Sequence, residues 1–406
     1  MSHLLSSAGA MTTMAPAPAA SATKHWSTEA AWVVAANLSQ AAGPFVSLLA
    51  ISHLHGLDAA GRFAYALALT TPLYLLLSFQ LKALLLTHSA TEFSTAAAAG
   101  IRSFSSVLGV AVVFGLLLLA TPLAGILLAA RLVESWAELY QTDQQRRQRS
   151  WRVALSSILR SMLLLASILC APSVEEAIAL YLLLSFTLLV FLDMDAVRFE
   201  VEFESQVLRS FLLRGVLLGG VLFLQSAHAN IPRLALDHFG DEASLGIFAT
   251  LSVLMQTGNL ISSSFGQGLV PTLMTASLTR VLGLAALPAL AGLLTLGILT
   301  ALGDFPLSLL GLQGQPNAHG ALLALGVAQI SVWPAAMIGY ALTARRLYRQ
   351  QIYLSIALNG VSGMGSLLLI PRFGPAGAAF VMGLTAATML LLSFVLLARS
   401  PRGAVQ

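Results

Sequence analysis

Twelve apolar stretches follow one another along the chain with hardly a break, near 27–51, 62–87, 103–120, 123–143, 151–171, 174–194, 208–230, 246–270, 281–301, 318–343, 350–371 and 375–398. Each is long enough to cross the ~30 Å hydrocarbon core of a bilayer as a helix. In lipid every backbone polar group must be satisfied internally, so the choice is between helices and a closed barrel, and stretches of this length exclude ten-residue barrel strands. Only 9% of the 406 residues are charged and 57% are hydrophobic, with a mean hydropathy of +0.84. A soluble domain carries about a quarter charged residues. The gaps between stretches are too short for a folded domain outside the membrane. The fourth stretch is the weakest, carrying Arg131, Glu134 and Glu138, and only Thr121-Pro122 separates it from the third.

Charge fixes an expected orientation. Lys24, Arg102, Arg146, Arg147, Arg149, Arg152, Arg198, Arg209, Arg280, Arg345, Arg346, Arg349, Arg399 and Arg402 fall at one set of alternating gaps and span ends, against Arg62, Arg233 and Arg372 at the other. By the positive-inside bias both termini are expected in the cytoplasm. Residues 1–23 lack a basic n-region and a long apolar core, so they read as a tail and not as a secretory signal. Cys170, the single cysteine, has no partner for a disulfide or a metal.

Self-comparison shows a duplication. Residues 61–84 and 246–269 align without gaps, sharing Gly61/Gly246, Phe63/Phe248, Ala64/Ala249, Leu69/Leu254, Leu75/Leu260, Ser78/Ser263 and Leu84/Leu269. Thr71, Tyr74, Ser78 and Lys82 lie on one helical face, and the same offset of 185 places Gln256, Asn259, Ser263 and Gln267 on the corresponding face of the eighth stretch. Around the fifth and eleventh stretches an offset of 199 pairs Arg146-Arg147, Ser156, Arg160 and Ser167 with Arg345-Arg346, Ser355, Asn359 and Ser366. An even number of spans per copy keeps the copies parallel, meeting around an axis along the membrane normal. The expected fold is therefore an all-α integral membrane protein of about twelve transmembrane helices in two pseudo-symmetric six-helix lobes around a central cavity. Its parts are a disordered cytoplasmic tail 1–24, an N-lobe 25–200, a C-lobe 201–400 and a cytoplasmic C-terminal tail 401–406.

Polar side chains facing lipid are costly, so stripes shared by both copies are expected to line one watery chamber. The bland reading of any single Ser, Thr, Asn or Gln is a hydrogen bond between helices. Lys82, Arg131, Arg160 and Arg214 against Glu134 and Glu138 give the spans a positive excess. Arg131 and Glu134 are spaced to pair, with Glu138 a turn further on. Lys82 and Arg214 lie near cytoplasmic ends where snorkelling serves them. Arg160, deep in its span, is the first choice for a cation that contacts substrate, because a guanidinium offers oxyanions a bidentate fork. Asn37 and Gln40 precede Gly43-Pro44 and line the cavity or satisfy backbone freed at the proline. Trp333 reads as packing, and His228 as an interfacial histidine. Gly215 and Gly219 read as a close helix contact. Asp193-Met194-Asp195 resembles the metal-binding Asp-x-Asp of some glycosyltransferases, but reads better as a solvated loop. No Walker A pattern is present, and no catalytic, cofactor or metal site is expected.

Four segments carry a family resemblance: HGLDAAGRFAYALAL, LYQTDQQRRQRSWRVALSSILRS, NIPRLALDHFGDEASLGIFATLSVLMQ and LIPRFGPAGAAFVMGL. They resemble the polysaccharide transporter branch of the multidrug/oligosaccharidyl-lipid/polysaccharide (MOP) exporter superfamily, over most of residues 25–400. The resemblance implies alternating access and a polyprenyl-diphosphate-linked oligosaccharide, such as an O-antigen unit, flipped to the outer leaflet of a bacterial inner membrane. It also implies a cation-lined cavity, which Arg160 and Lys82 match by region. Other polysaccharide assembly proteins are implied partners. One departure is that the first span has no acid where the drug-exporting branch often couples a cation gradient, leaving Glu134 or Glu138 to titrate with H+ or Na+. The alternatives are a cation-coupled drug or small-molecule antiporter of the same fold, and a polysaccharide-modifying membrane enzyme.

Overall fold

The computed structural model describes residues 19–87, 94–119, 121–194, 205–345 and 347–399. The helices in chain order are α1 (Ala19–Leu77), α2 (Leu81–Thr87), α3 (Thr95–Leu118), α4 (Pro122–Arg146), α5 (Ser150–Cys170), α6 (Val174–Leu188), α7 (Ser205–Phe239), α8 (Glu242–Gly268), α9 (Val270–Thr275), α10 (Leu278–Leu302), α11 (Phe305–Leu309), α12 (Ala318–Ala344) and α13 (Tyr348–Arg399). A π-helical turn, Leu189–Asp193, extends α6. No strand occurs among the described residues. A helix occupies each of the twelve apolar stretches, and seven helices are both long and apolar enough to cross a membrane. Two of these are double-length. α1 reverses at Gly56 (φ 88°) and α13 at Gly374 (φ 52°), left-handed conformations that a β-carbon would strain. α4, at 25 residues, is one unbroken helix despite Arg131, Glu134 and Glu138 in its middle. α1 begins at Ala19, inside the stretch expected to be a disordered tail, because Ala-rich sequence favours helix.

Beside an apolar core, large apolar side chains lie outside and many hydroxyls and amides lie inside. Leu118, Leu294, Val107, Phe191 and Leu183 are exposed, whereas Ser47, Ser156, Ser185, Thr250, Gln329 and Ser362 are buried. Apolar side chains on the outside of a bundle suit a lipid solvent. α1 packs on α4 and α5, and α4 packs on α3 and α6; α13 packs on α7 and α12, and α12 on α8 and α10. α1 also packs along α7 and α8, joining the two groups.

That junction follows the duplication. A β-carbon on Gly61 would overlap the backbone carbonyl of Glu242, and one on Gly246 would overlap that of Leu57. Residues 57 and 61, advanced by 185, are residues 242 and 246, so the contact is reciprocal, as an isologous two-fold interface requires. The glycines matched in sequence are thus matched because two backbones cross there. Beside them Arg62 bridges Glu242 (3.3 Å) and Glu175 (3.7 Å). Asp241 accepts the Ser244 N–H at 2.7 Å to start α8, and this bonding holds its carboxyl below the usual range.

A second matched pair sits at the other end of the bundle. Arg146 donates to the Leu85 carbonyl at the close of α2 (Nε 2.8 Å), and Arg345 donates to the Ala276 carbonyl just past α9 (2.8 Å). In sequence these arginines mark topology and the duplication, and each also holds the end of a short helix, where carbonyls lack intrahelical partners. Between α1 and α2, Phe79 (φ 47°) and Gln80 (φ 50°) break the second arm of α1. Gly215 and Gly219 let α7 approach this break, a β-carbon on Gly215 falling 2.8 Å from the Phe79 carbonyl oxygen.

Candidate functional site

The polar stripes lead to two cavities. The first, of about 120 Å³, lies between α1, α4, α5 and α6 and is lined by Gln40, Tyr74, Arg131, Glu134, Glu138, Gln141, Ser157, Arg160, Ser161 and Tyr181 among others. The second, of about 500 Å³, lies between α7, α8, α12 and α13 and includes Gln225, His228, Asn259, Tyr340, Thr343, Gln351 and Ser355. Gln40 and Tyr74, advanced by 185, are Gln225 and Asn259; Gln141, advanced by 199, is Tyr340. The cavities are therefore repeat equivalents. Residues expected around one chamber are divided between two, because each group of helices turns its polar faces in on itself.

The first cavity is built on two ion pairs. Arg131 donates to Glu134 Oε2 at 2.9 Å and stands over the Tyr74 ring at 5.9 Å, while Tyr181 Oη donates to Glu134 Oε1 at 2.5 Å. Arg160 Nη2 donates to Asp193 Oδ2 at 2.5 Å, and its Nη1 donates to the Ser185 hydroxyl. Arg160 is 7% exposed and Asp193 6%, so this pair is desolvated. Asp193 is thus no solvated loop residue; Asp195 lies outside the described residues. Nor does the lining have a positive excess, since Arg160 and Arg131 are each neutralised and Glu138 carries no ion pair among the described residues. Gln40 Nε2 donates to Ser157 Oγ at 3.0 Å, and Gln141 Nε2 to Ser156 Oγ at 3.0 Å, cross-linking α1, α4 and α5. Losing one donor to a buried carboxylate costs about 1.5–3 kcal/mol. Tyr181→Phe is expected to lower unfolding free energy in detergent by that amount, read from denaturant melts.

Gln141, Ser157, Ser161 and Tyr181 line this site without having been candidates in the sequence reading, and two further residues beside it escaped as well. Asp193 continues the buried stripe Tyr181, Ser185, Leu189 at steps of four, a register that would have revealed it. Arg102, counted at the cytoplasmic rim, is 2% exposed on α3 and interacts electrostatically with Tyr74 and Glu138. The remaining candidates separate. Ser78 is buried and donates to the Leu75 carbonyl at 2.9 Å, at the helix break. Lys82 is half-buried and Asn37 exposed, and neither lines either of these two cavities. Asn359 donates to the Leu224 and Ser355 carbonyls, both at 2.8 Å, tying α13 to α7. The side chains of Gln256, Ser263, Gln267 and Arg214 lie outside the described residues. Trp333 packs against Gly258, as expected, whereas His228 lines the second cavity.

Among the described residues lining the second cavity none is an acid, an arginine or a lysine. Arg131, Glu134 and Glu138, advanced by 199, fall on Ile330, Trp333 and Met337. What remains is amides and hydroxyls: Gln351 donates to Thr343 Oγ1 at 3.1 Å, and Asn259 Oδ1 is buried with no hydrogen-bond partner.

Long apolar helices wrapped around cavities with polar groups in their walls define a multi-pass membrane protein. The particular fold is that of the MOP transporters. The lipid II flippase MurJ in an inward closed conformation superposes with a TM-score of 0.65 at 12% identity, covering 91% of this chain and 88% of that one. The MATE multidrug transporter DinF-BH gives 0.64 at 16% identity, covering 93% and 96%. In sequence the chain is similar to the capsular polysaccharide biosynthesis protein CapF of Staphylococcus aureus, 23% identical over 379 residues, 86% of this chain and 94% of that protein. No family model matches the chain.

Proposed function

We propose that this protein is a flippase that moves a polyprenyl-diphosphate-linked oligosaccharide from the cytoplasmic to the outer leaflet of a bacterial inner membrane for surface polysaccharide assembly. The observation that carries this reading is the combination of a flippase and MATE fold with sequence similarity, over most of the chain, to a capsular polysaccharide protein. Lobes 25–200 and 201–400 rock about the reciprocal Gly61/Gly246 contact, with both termini cytoplasmic. The substrate passes between the lobes, with Asn37, Lys82 and the α8 stripe Gln256, Ser263 and Gln267 along its path. Lys82 supplies positive charge near the cytoplasmic entrance, and Arg160 acts through its pair with Asp193.

Glu138, which carries no ion pair among the described residues and interacts electrostatically with the buried Arg102, supports a coupling role for the first cavity, its carboxylate being the group that a coupling H+ or Na+ would engage. Reconstitution into vesicles with fluorescently labelled lipid-linked saccharide tests both points. The native chain is expected to expose label to an outside quencher, Lys82→Ala to slow this, and Glu138→Gln to remove its dependence on pH or Na+ gradient. Gradient-driven efflux of cationic dyes with no flipping would establish the antiporter reading instead, which the same Glu138 would serve.

A further inference from the structure

Both cavities descend from one ancestral site, yet they offer opposite chemistry. The first holds two arginines and two glutamates; at the corresponding α12 positions the second has Ile330, Trp333 and Met337. Its volume of about 500 Å³ lies within the range of about 300–1,000 Å³ usual for small-molecule sites. Its described polar lining is neutral: Gln225, Asn259, Thr343, Gln351 and Ser355, with His228 and Tyr340 as the titratable side chains among them. Among its described lining residues a diphosphate finds no fixed cation, and a metal ion or ammonium finds no carboxylate. Asn259 Oδ1 is buried and accepts nothing, although a buried amide oxygen without a donor is costly. Hydroxyl groups supply the missing donor, and they also accept from amide N–H groups. Apolar walls from Leu222, Leu354 and Leu358 suit the less polar faces of a pyranose ring.

We infer that the second cavity is a binding subsite for a neutral sugar residue, with Asn259 accepting one of its hydroxyl protons. Resting on the flippase reading, the inference assigns recognition of the uncharged glycan to the α7–α8–α12–α13 cavity and leaves the charged cavity to coupling. Gln351 and Thr343, where α12 hands over to α13, lie at the end of the bundle that charge distribution marks as cytoplasmic, the side from which the glycan enters.

The test uses the full chain in nanodiscs with Cys170→Ser removing the native thiol and Ala336→Cys placing one on the cavity wall. Alkylation of that thiol by a small maleimide is followed with neutral hexose and N-acetylhexosamine trisaccharides, sodium pyrophosphate, or a hexuronate trisaccharide present. Neutral trisaccharides are expected to slow labelling about tenfold at about ten times their Kd, the ratio 1 + [L]/Kd. Asn259→Leu and, separately, Gln351→Leu are expected to reduce this protection, while pyrophosphate and hexuronate give none. Absence of protection by any neutral sugar overturns the inference, as does protection by pyrophosphate alone or protection unchanged in both variants. Vesicle flipping by the native chain is scored separately. Protection without flipping rejects the flippase reading and keeps the site; flipping without protection does the reverse.

Discussion

Replacing Arg160 with Met is expected to destabilise the protein by about 3–5 kcal/mol, because it strands a buried carboxylate on Asp193. Asp193→Leu strands the guanidinium and is expected to cost a similar amount. Two desolvated charges 2.5 Å apart each lose their compensation when the other goes, whereas an apolar pair of similar volume has nothing to compensate. The double substitution Arg160→Met with Asp193→Leu is therefore expected to recover most of the stability, read as thermal unfolding in detergent. Arg160→Glu places two carboxylates face to face and is expected to be the most damaging change. Equal destabilisation in the double and single variants would show that Arg160 is held by something other than Asp193. A double variant that folds yet no longer flips lipid-linked saccharide would return Arg160 to a direct role with substrate.

The second large effect belongs to the crossing at Gly61 and Gly246. Gly246→Ala puts a methyl group into the Leu57 carbonyl, and the neighbour is backbone, which has no rotamer to escape by. Overpacking of this kind costs about 1–3 kcal/mol. The crossing joins α1 to α8, so the cost falls on contact between the two groups of helices and not on packing within either. An energy of that size shifts a two-state equilibrium by about five- to 150-fold. The expected result is faster labelling of Leu57→Cys, in a Cys170→Ser background, by a membrane-impermeant maleimide when Gly246→Ala is present. Gly61→Ala, with a matching thiol at Glu242→Cys, is expected to behave alike, since the contact is reciprocal. Unchanged labelling in both would show that the crossing is not tight in the membrane.

Membrane residence, helicity and the duplication were legible because each is a repeated, local property. Apolar length sets crossing, and the matched glycines set where copies can touch. Advancing residues 57 and 61 by the 185 read from residues 61–84 gives residues 242 and 246, so the meeting of Gly61 with residue 242 and that of Gly246 with residue 57 are two halves of one reciprocal contact. Arg146 and Arg345, paired in sequence by the offset of 199, each donate to a carbonyl at the end of a short helix. Side-chain partnership was less legible. Arg160 looked like a free cation because Asp193, its counter-charge, lies 33 residues away at the end of another helix. Asn359 looked like a cavity residue because spacing along a helix gives a face and not a neighbour; its amide is spent on α7.

The amino-acid sequence by itself determined the solvent, the helices and the two-copy plan, since these follow from hydropathy and periodicity along the chain. Only the tertiary structure decided which charges cancel and that the polar faces close on two cavities, one charged and one neutral. The physical reason is that desolvation and Coulomb energy depend on distance in space, and in a bundle of long helices the residues that meet come from different crossings.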